Sequence, residues 1–111
     1  MPERTYHIYA IDFDGTIVEN KWPFIGELNH EAADFIGKLQ SRGDQWILYT
    51  MREGQRLKEA VDFLKSHGLE PDAINDNTKE MQQLFHNNPR KIYADTYIDD
   101  HNAGGLKWNS L

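Results

Sequence analysis

The sequence contains no cysteine, which excludes disulfide bonds and thiolate metal sites. Long apolar runs are missing as well, and none approaches the roughly 20 residues that cross a bilayer. Positive charge is scarce: 12 Lys and Arg face 18 Asp and Glu, a formal net charge of −6. That balance speaks against a dedicated nucleic-acid binder, which normally presents a basic patch, while leaving room for a local basic pocket that holds a phosphate. The first residues lack the basic and apolar regions of a signal peptide, so a cytoplasmic protein without membrane contact is expected. No internal repeat, low-complexity tract or linker interrupts the 111 residues. One hydrophobic core, and hence one domain over residues 1–111, is expected from this length.

The hydrophobic pattern alternates between two periods. Tyr6-His7-Ile8-Tyr9-Ala10-Ile11 reads as a buried strand. Residues 19–29 carry Pro23, Gly26 and two aromatics and read as an irregular connection. Asn29 is placed to cap a helix in which Ala32, Phe35, Ile36 and Leu39 fall on one face, with Gly43 at its stop. Trp46-Ile47-Leu48-Tyr49-Thr50 is a short apolar run of the kind buried parallel strands show. A second helix is predicted over about 54–67, with Leu57, Ala60, Val61 and Leu64 inward and Gly68 and Pro71 beyond it. Asp72 to Asn75 suggests a short third strand. Thr78 is placed to cap a third helix carrying Met81, Leu84 and Phe85. Residues 94–98 alternate as a last strand, and the tail from Asn102 to Leu111 has room for a turn and an edge segment. Strands alternating with helices predict an α/β fold with a mostly parallel sheet, whose ligands bind at the carboxyl ends of the strands.

The chemistry-bearing residues fall at those ends. Asp12 and Asp14 stand two apart where the first strand finishes, so their side chains point the same way. Carboxylates about 4 Å apart repel by about 4 kcal/mol at an effective dielectric near 20, which calls for a cation, a shared proton or separation into water. A divalent metal with a phosphate is the obvious use. Thr50 ends the second strand ahead of a helix, where a hydroxyl and main-chain N–H groups form an anion site. Arg52 is able to add a bidentate contact to a phosphate or carboxylate. Asp99 and Asp100 close the last strand.

The run Asp12-Phe13-Asp14-Gly15-Thr16 after a hydrophobic strand resembles the first motif of the haloacid dehalogenase-like (HAD) phosphohydrolase superfamily. Thr50 is similar to the hydroxyl residue of the second motif, and Asp99-Asp100 to the acidic pair of the fourth. The resemblance implies a three-layer Rossmann-like fold with sheet order 3-2-1-4. It also implies an Mg2+-dependent phosphatase that acts on phosphate monoesters through an aspartyl-phosphate. Asp12 would be the nucleophile and Asp14 the general acid/base. Asp12, Asp14 (by its carbonyl), Asp99 and Asp100 would hold the metal, and Thr16, Thr50, Met51, Arg52 and a lysine would bind the phosphate. An acid at position 14 resembles the phosphatases and mutases of the superfamily rather than its dehalogenases.

Two lysines compete for the third motif, Lys91 and Lys79, of which Lys91 is preferred. His101 and Trp22 are secondary candidates for substrate contact. About 14 residues separate Thr16 from the first helix and about 40 separate Thr50 from Lys91, which leaves no room for a cap domain beyond ordinary βαβ spacing. An open site of this kind takes a bulky substrate or borrows a lid from another subunit, so a homo-oligomer is compatible with it. Two other readings stay open. One is a receiver-like phospho-acceptor domain, although there the acidic pair comes first in the chain. The other is a noncatalytic metal- or phosphate-binding module on a similar fold.

Overall fold

The computed structural model describes residues 4–111. Four parallel strands form the main sheet: β1 (Ile8–Ile11), β4 (Gln45–Leu48), β5 (Ala73–Ile74) and β6 (Thr96–Ile98), in the spatial order β5-β4-β1-β6. A two-stranded antiparallel hairpin, β2 (Val18–Lys21) with β3 (Phe24–Leu28), follows β1. Three helices complete the regular structure, α1 (His30–Ser41), α2 (Gly54–Ser66) and α3 (Lys79–Phe85). No helix among the described residues is long and apolar enough to cross a membrane.

Alternation along the strands divides the apolar side chains between the two sheet faces. Ile11, Trp46, Leu48 and Ile98 meet Ala32, Ile36 and Leu39 of α1 and Ala60 and Leu64 of α2, all buried. Ile8, Ala10 and Ile47 instead meet Met81 of α3 and Ala94. The helix ends follow the sequence signals. Asn29 Oδ1 accepts from the amides of Glu31 and Ala32, and Thr78 Oγ1 accepts from Met81. Gly43 and Gly68 take φ values of +85° and +72° just past their helices, where a side chain would be strained.

One segment differs from expectation. Residues 19–29 form the β2–β3 hairpin rather than an irregular connection. Its breakers have positions inside the hairpin: the Trp22-Pro23 peptide is cis and makes the two-residue turn. Gly26 sits where a Cβ would meet the Glu19 carbonyl oxygen at 2.0 Å, beside a register shift between Val18 and Asn20. β2 is polar beyond Val18 and Gly26 interrupts β3, so pairing, not pattern, defines them. The tail forms a 3-10 turn over Trp108–Ser110, within the turn and edge segment for which it has room. Trp108 joins the core, its ring 5.4 Å from that of Phe35 in α1.

Candidate functional site

Parallel strands bring the ends of β1, β4, β5 and β6 to one edge, and the loops after them carry the charge. Beyond β1 the chain turns sharply, with the Phe13 carbonyl accepting from the amides of Thr16, Ile17 and Val18. The Asp12 amide donates to Ile98 O (3.0 Å), which ties this loop to the end of β6. Gly15 has φ +83°, and a Cβ there would fall 2.5 Å from Asp100 Oδ2. Glycine is therefore required twice, by conformation and by the approach of Asp100. Buried Thr16 completes the join, its hydroxyl accepting from the Asp100 amide at 3.1 Å.

The result is a cluster in which Asp12, Asp99 and Asp100 each place a carboxylate oxygen within 4.8 Å of the others. Burial pushes the Asp12 carboxyl up to about 6, against a hydrogen bond from the Phe13 main chain and with help from the negative charges of Asp99, Asp100 and Asp14. Asp100 is raised as well, by burial first and then by a hydrogen bond with Asp99, while His101 pulls the other way. Asp100 Oδ1 is buried without a hydrogen-bond partner. Asp99 Oδ1 accepts from the His101 amide at 2.9 Å. A buried, unpartnered carboxylate oxygen is costly to retain. A donor set made only of oxygens, several of them charged, fits a hard divalent cation such as Mg2+.

Two adjoining cavities open over the cluster. One, of about 280 Å3, is lined by Asp12, Tyr49, Thr50, Met51 and Asp99. The other, of about 210 Å3, is lined by Asp12, Asp14, Thr50, Met51, Asp99 and His101. Thr50 has left the strand ladder: its amide donates to Asn75 Oδ1 (2.8 Å), and its hydroxyl accepts from the Arg52 amide (3.1 Å). The Thr50 hydroxyl proton is thus available to a ligand. The Met51 side chain is fully exposed at the rim.

The remaining candidates lie elsewhere. Arg52 is only 2% exposed, and its guanidinium grips Asp14 with two 2.7 Å contacts, Nε to Oδ2 and Nη2 to Oδ1. Thr16 acts between the two loops beneath the cluster, as its bond to Asp100 shows. Lys91 is exposed and lines a separate cavity of about 450 Å3 with Phe85, Pro89, Tyr93, Ala94 and Tyr97. The ring of Tyr97 lies 6.4 Å from that of Tyr49, so this cavity and the carboxylate cavities share a tyrosine boundary. Neither Lys91 nor Lys79 lines the carboxylate cavities. His101 is at the rim, its Nε2 3.7 Å from Asp100 Oδ2. Sequence reasoning missed Asn75 as the partner of Thr50 and Gly15 as the seat of Asp100. A glycine directly after an Asp-x-Asp pair was the available sign of the second.

The fold and site together define an α/β domain with an acidic cluster at the carboxyl edge of a parallel sheet. No family model matches the sequence, and no curated protein matches it. A solved structure of a conserved protein from Bacteroides thetaiotaomicron is 40% identical, with 96% of this chain and 86% of that chain covered and a TM-score of 0.82. The chain belongs to the family of that conserved Bacteroides protein.

Proposed function

We propose that the chain is an Mg2+-dependent phosphatase of the HAD type, without a cap domain, that hydrolyses small phosphate monoesters. The observation that carries this reading is the convergence of Asp12, Asp99 and Asp100 around an unpartnered carboxylate oxygen, beside a cavity that Asp12 and Thr50 share. The order β5-β4-β1-β6, with the two acidic loops at the ends of the neighbouring strands β1 and β6, supports the fold half of the reading. The span between β1 and α1 holds a hairpin and nothing larger, which supports an open site.

Asp12 is the nucleophile. A carboxylate oxygen attacks phosphorus in line as the bond to the leaving oxygen breaks, and an aspartyl-phosphate forms. Asp14 gives a proton to the leaving oxygen and then takes one from the water that attacks the acyl phosphate, which returns Asp12 and releases inorganic phosphate. The hydroxyl of Thr50 donates to a nonbridging phosphoryl oxygen. Asp12, Asp99 and Asp100, with the main-chain carbonyl of Asp14, would hold Mg2+, which when bound offsets the negative charge shared by nucleophile and phosphate. Neither Lys91, the lysine preferred from the sequence, nor Lys79 lines these cavities, and neither is given a role in the step.

The test is phosphate release from an aryl phosphate, with Mg2+ and with chelator, in wild type and Asp12→Asn. Metal-dependent turnover that the substitution abolishes supports the reading. Turnover that survives in Asp12→Asn overturns it. Absence of turnover across a panel of natural phosphate monoesters, with Mg2+ still bound, favours a noncatalytic binding module.

A further inference from the structure

Arg52 is the most completely enclosed charged side chain among the described residues, and its partners come from three parts of the chain. Besides the two contacts to Asp14, Nη2 donates to Phe24 O (3.1 Å), and Nη1 donates to Pro23 O (3.4 Å) and Arg56 O (3.3 Å). The guanidinium lies between two rings, 5.1 Å from the centre of Phe13 and 5.0 Å from that of Trp22. Trp22 and Phe24 turn their other surfaces outward, 56% and 70% exposed. A lysine has one point of charge and cannot reproduce this planar set of contacts. The cost of enclosing an arginine is met here by a carboxylate, three carbonyls and two aromatic faces.

We propose that Arg52 is a positioning residue that fixes the Asp14 carboxylate and the Trp22-Pro23-Phe24 turn as one unit, so that the hairpin tip and leaving-group protonation are coupled. This rests on the reading of Asp14 as the group that protonates the leaving oxygen. In this arrangement the guanidinium holds Asp14 in one rotamer, facing the cavity it shares with Asp12. Trp22, at the exposed tip of the hairpin, stands over the same guanidinium. Both Asp14 oxygens accept from Arg52 here, so one of these bonds opens when Asp14 carries the proton it gives to the leaving oxygen; Arg52 thus serves that step, not the capture of phosphate.

The experiment compares wild type, Arg52→Lys and Arg52→Met on two substrates, 4-nitrophenyl phosphate and glycerol 3-phosphate. The phenol departs readily without a proton, whereas the alcohol needs one, so the two esters separate positioning of Asp14 from general damage. The expected result is a kcat loss on the alkyl ester about a hundredfold or more beyond that on the aryl ester, with KM little changed. Equal losses on both esters, or a loss confined to KM, overturn the proposal. A second measurement follows the Trp22 indole N–H resonance in Asp14→Asn and Asp12→Asn. Coupling predicts a shift in the first and none in the second, and an unmoved Trp22 signal in folded Asp14→Asn overturns it. The resonance arm reads the coupling whether or not the wild type turns over. An inactive wild type with a shifted Trp22 would therefore remove the phosphatase and its leaving-group step while leaving the Arg52 linkage standing.

Discussion

The two ends of the main sheet differ in how they partner their carboxylates. At the amino end, Asp95 accepts from both terminal nitrogens of Arg4 (2.7 Å each), from the Ile8 amide and from the Tyr93 hydroxyl. Arg4 above all, then Tyr93 and Ile8, holds Asp95 well below the usual carboxylate range against the effect of burial. Asp44 accepts from the His7 amide and from Arg42 Nε. Burial pushes that group up, but His7 and Arg42 outweigh it and keep it low. Asp72, which has the Trp46 amide and no arginine, is raised by burial. At the carboxyl end, Asp12, Asp99 and Asp100 crowd together, and Asp12 and Asp100 are both raised. The same side chain therefore holds β1 in place at one edge and opposes folding at the other. Three carboxylates kept together where they cost stability mark the edge where a cation and the chemistry belong.

The largest effect that would break this contrast is catalytic. Asp12→Asn should lower kcat by about 10⁴-fold or more, as loss of a nucleophile does, whereas Asp95→Asn should leave steady-state turnover near wild type. Comparable losses in the two variants would contradict the division of labour. The next effect is structural. Gly15→Ala must strain a φ of +83° and displace Asp100. It should cost about 1–3 kcal/mol in a denaturant titration and also weaken Mg2+ binding by calorimetry.

The third contrast is one of sign, measured in chelator. The Asp12 carboxyl, up to about 6 in the fold and lower when unfolded, binds more protons folded than unfolded between about pH 4 and 6. Its contribution to stability thus falls as pH rises through that window and stays low above it. Asp12→Asn should stabilise the metal-free protein by about 1–2 kcal/mol at pH 7, a gain that disappears near pH 4. Asp95 is depressed in the fold. Its stabilising contribution is present above its unfolded value, near 3.9, and is lost as pH falls through its folded value. Asp95→Asn should cost about 1 kcal/mol at neutral pH, and the gap should close in strong acid. Urea titrations across pH would check both, and changes of equal sign would contradict the contrast. The smallest effect calibrates the scale away from both edges: Asn29→Ala removes the α1 cap and should cost about 1 kcal/mol in the same titration.

The sheet and its helices were legible because their signals are local. The inward faces of α1 and α2, the caps Asn29 and Thr78, and the short apolar run of β4 all follow from period and capping chemistry. The acidic residues were legible as candidates because strand ends announce a binding edge. The hairpin was not, since its strands carry Glu19, Asn20, Lys21 and Gly26 and depend on pairing that no local pattern reveals. The partnership of Arg52 with Asp14 was equally hidden, because 38 residues separate them and an arginine at a helix start reads as solvated or as a ligand for anions. The cavity around Lys91 was out of reach for the same reason: Phe85, Pro89 and Tyr97 meet only in three dimensions.

The most direct measurement is the thermal unfolding midpoint of wild type, Asp99→Asn and Asp95→Asn, each with Mg2+ and with chelator at pH 7. A ligand that binds only the folded state raises its stability, by about 2.7 kcal/mol at a hundredfold excess over Kd. The account predicts a clear rise on adding Mg2+ for wild type and for Asp95→Asn, and little or none for Asp99→Asn. No rise in wild type, or an equal rise in Asp99→Asn, would contradict the claim that the carboxyl edge of the sheet is built to hold a cation.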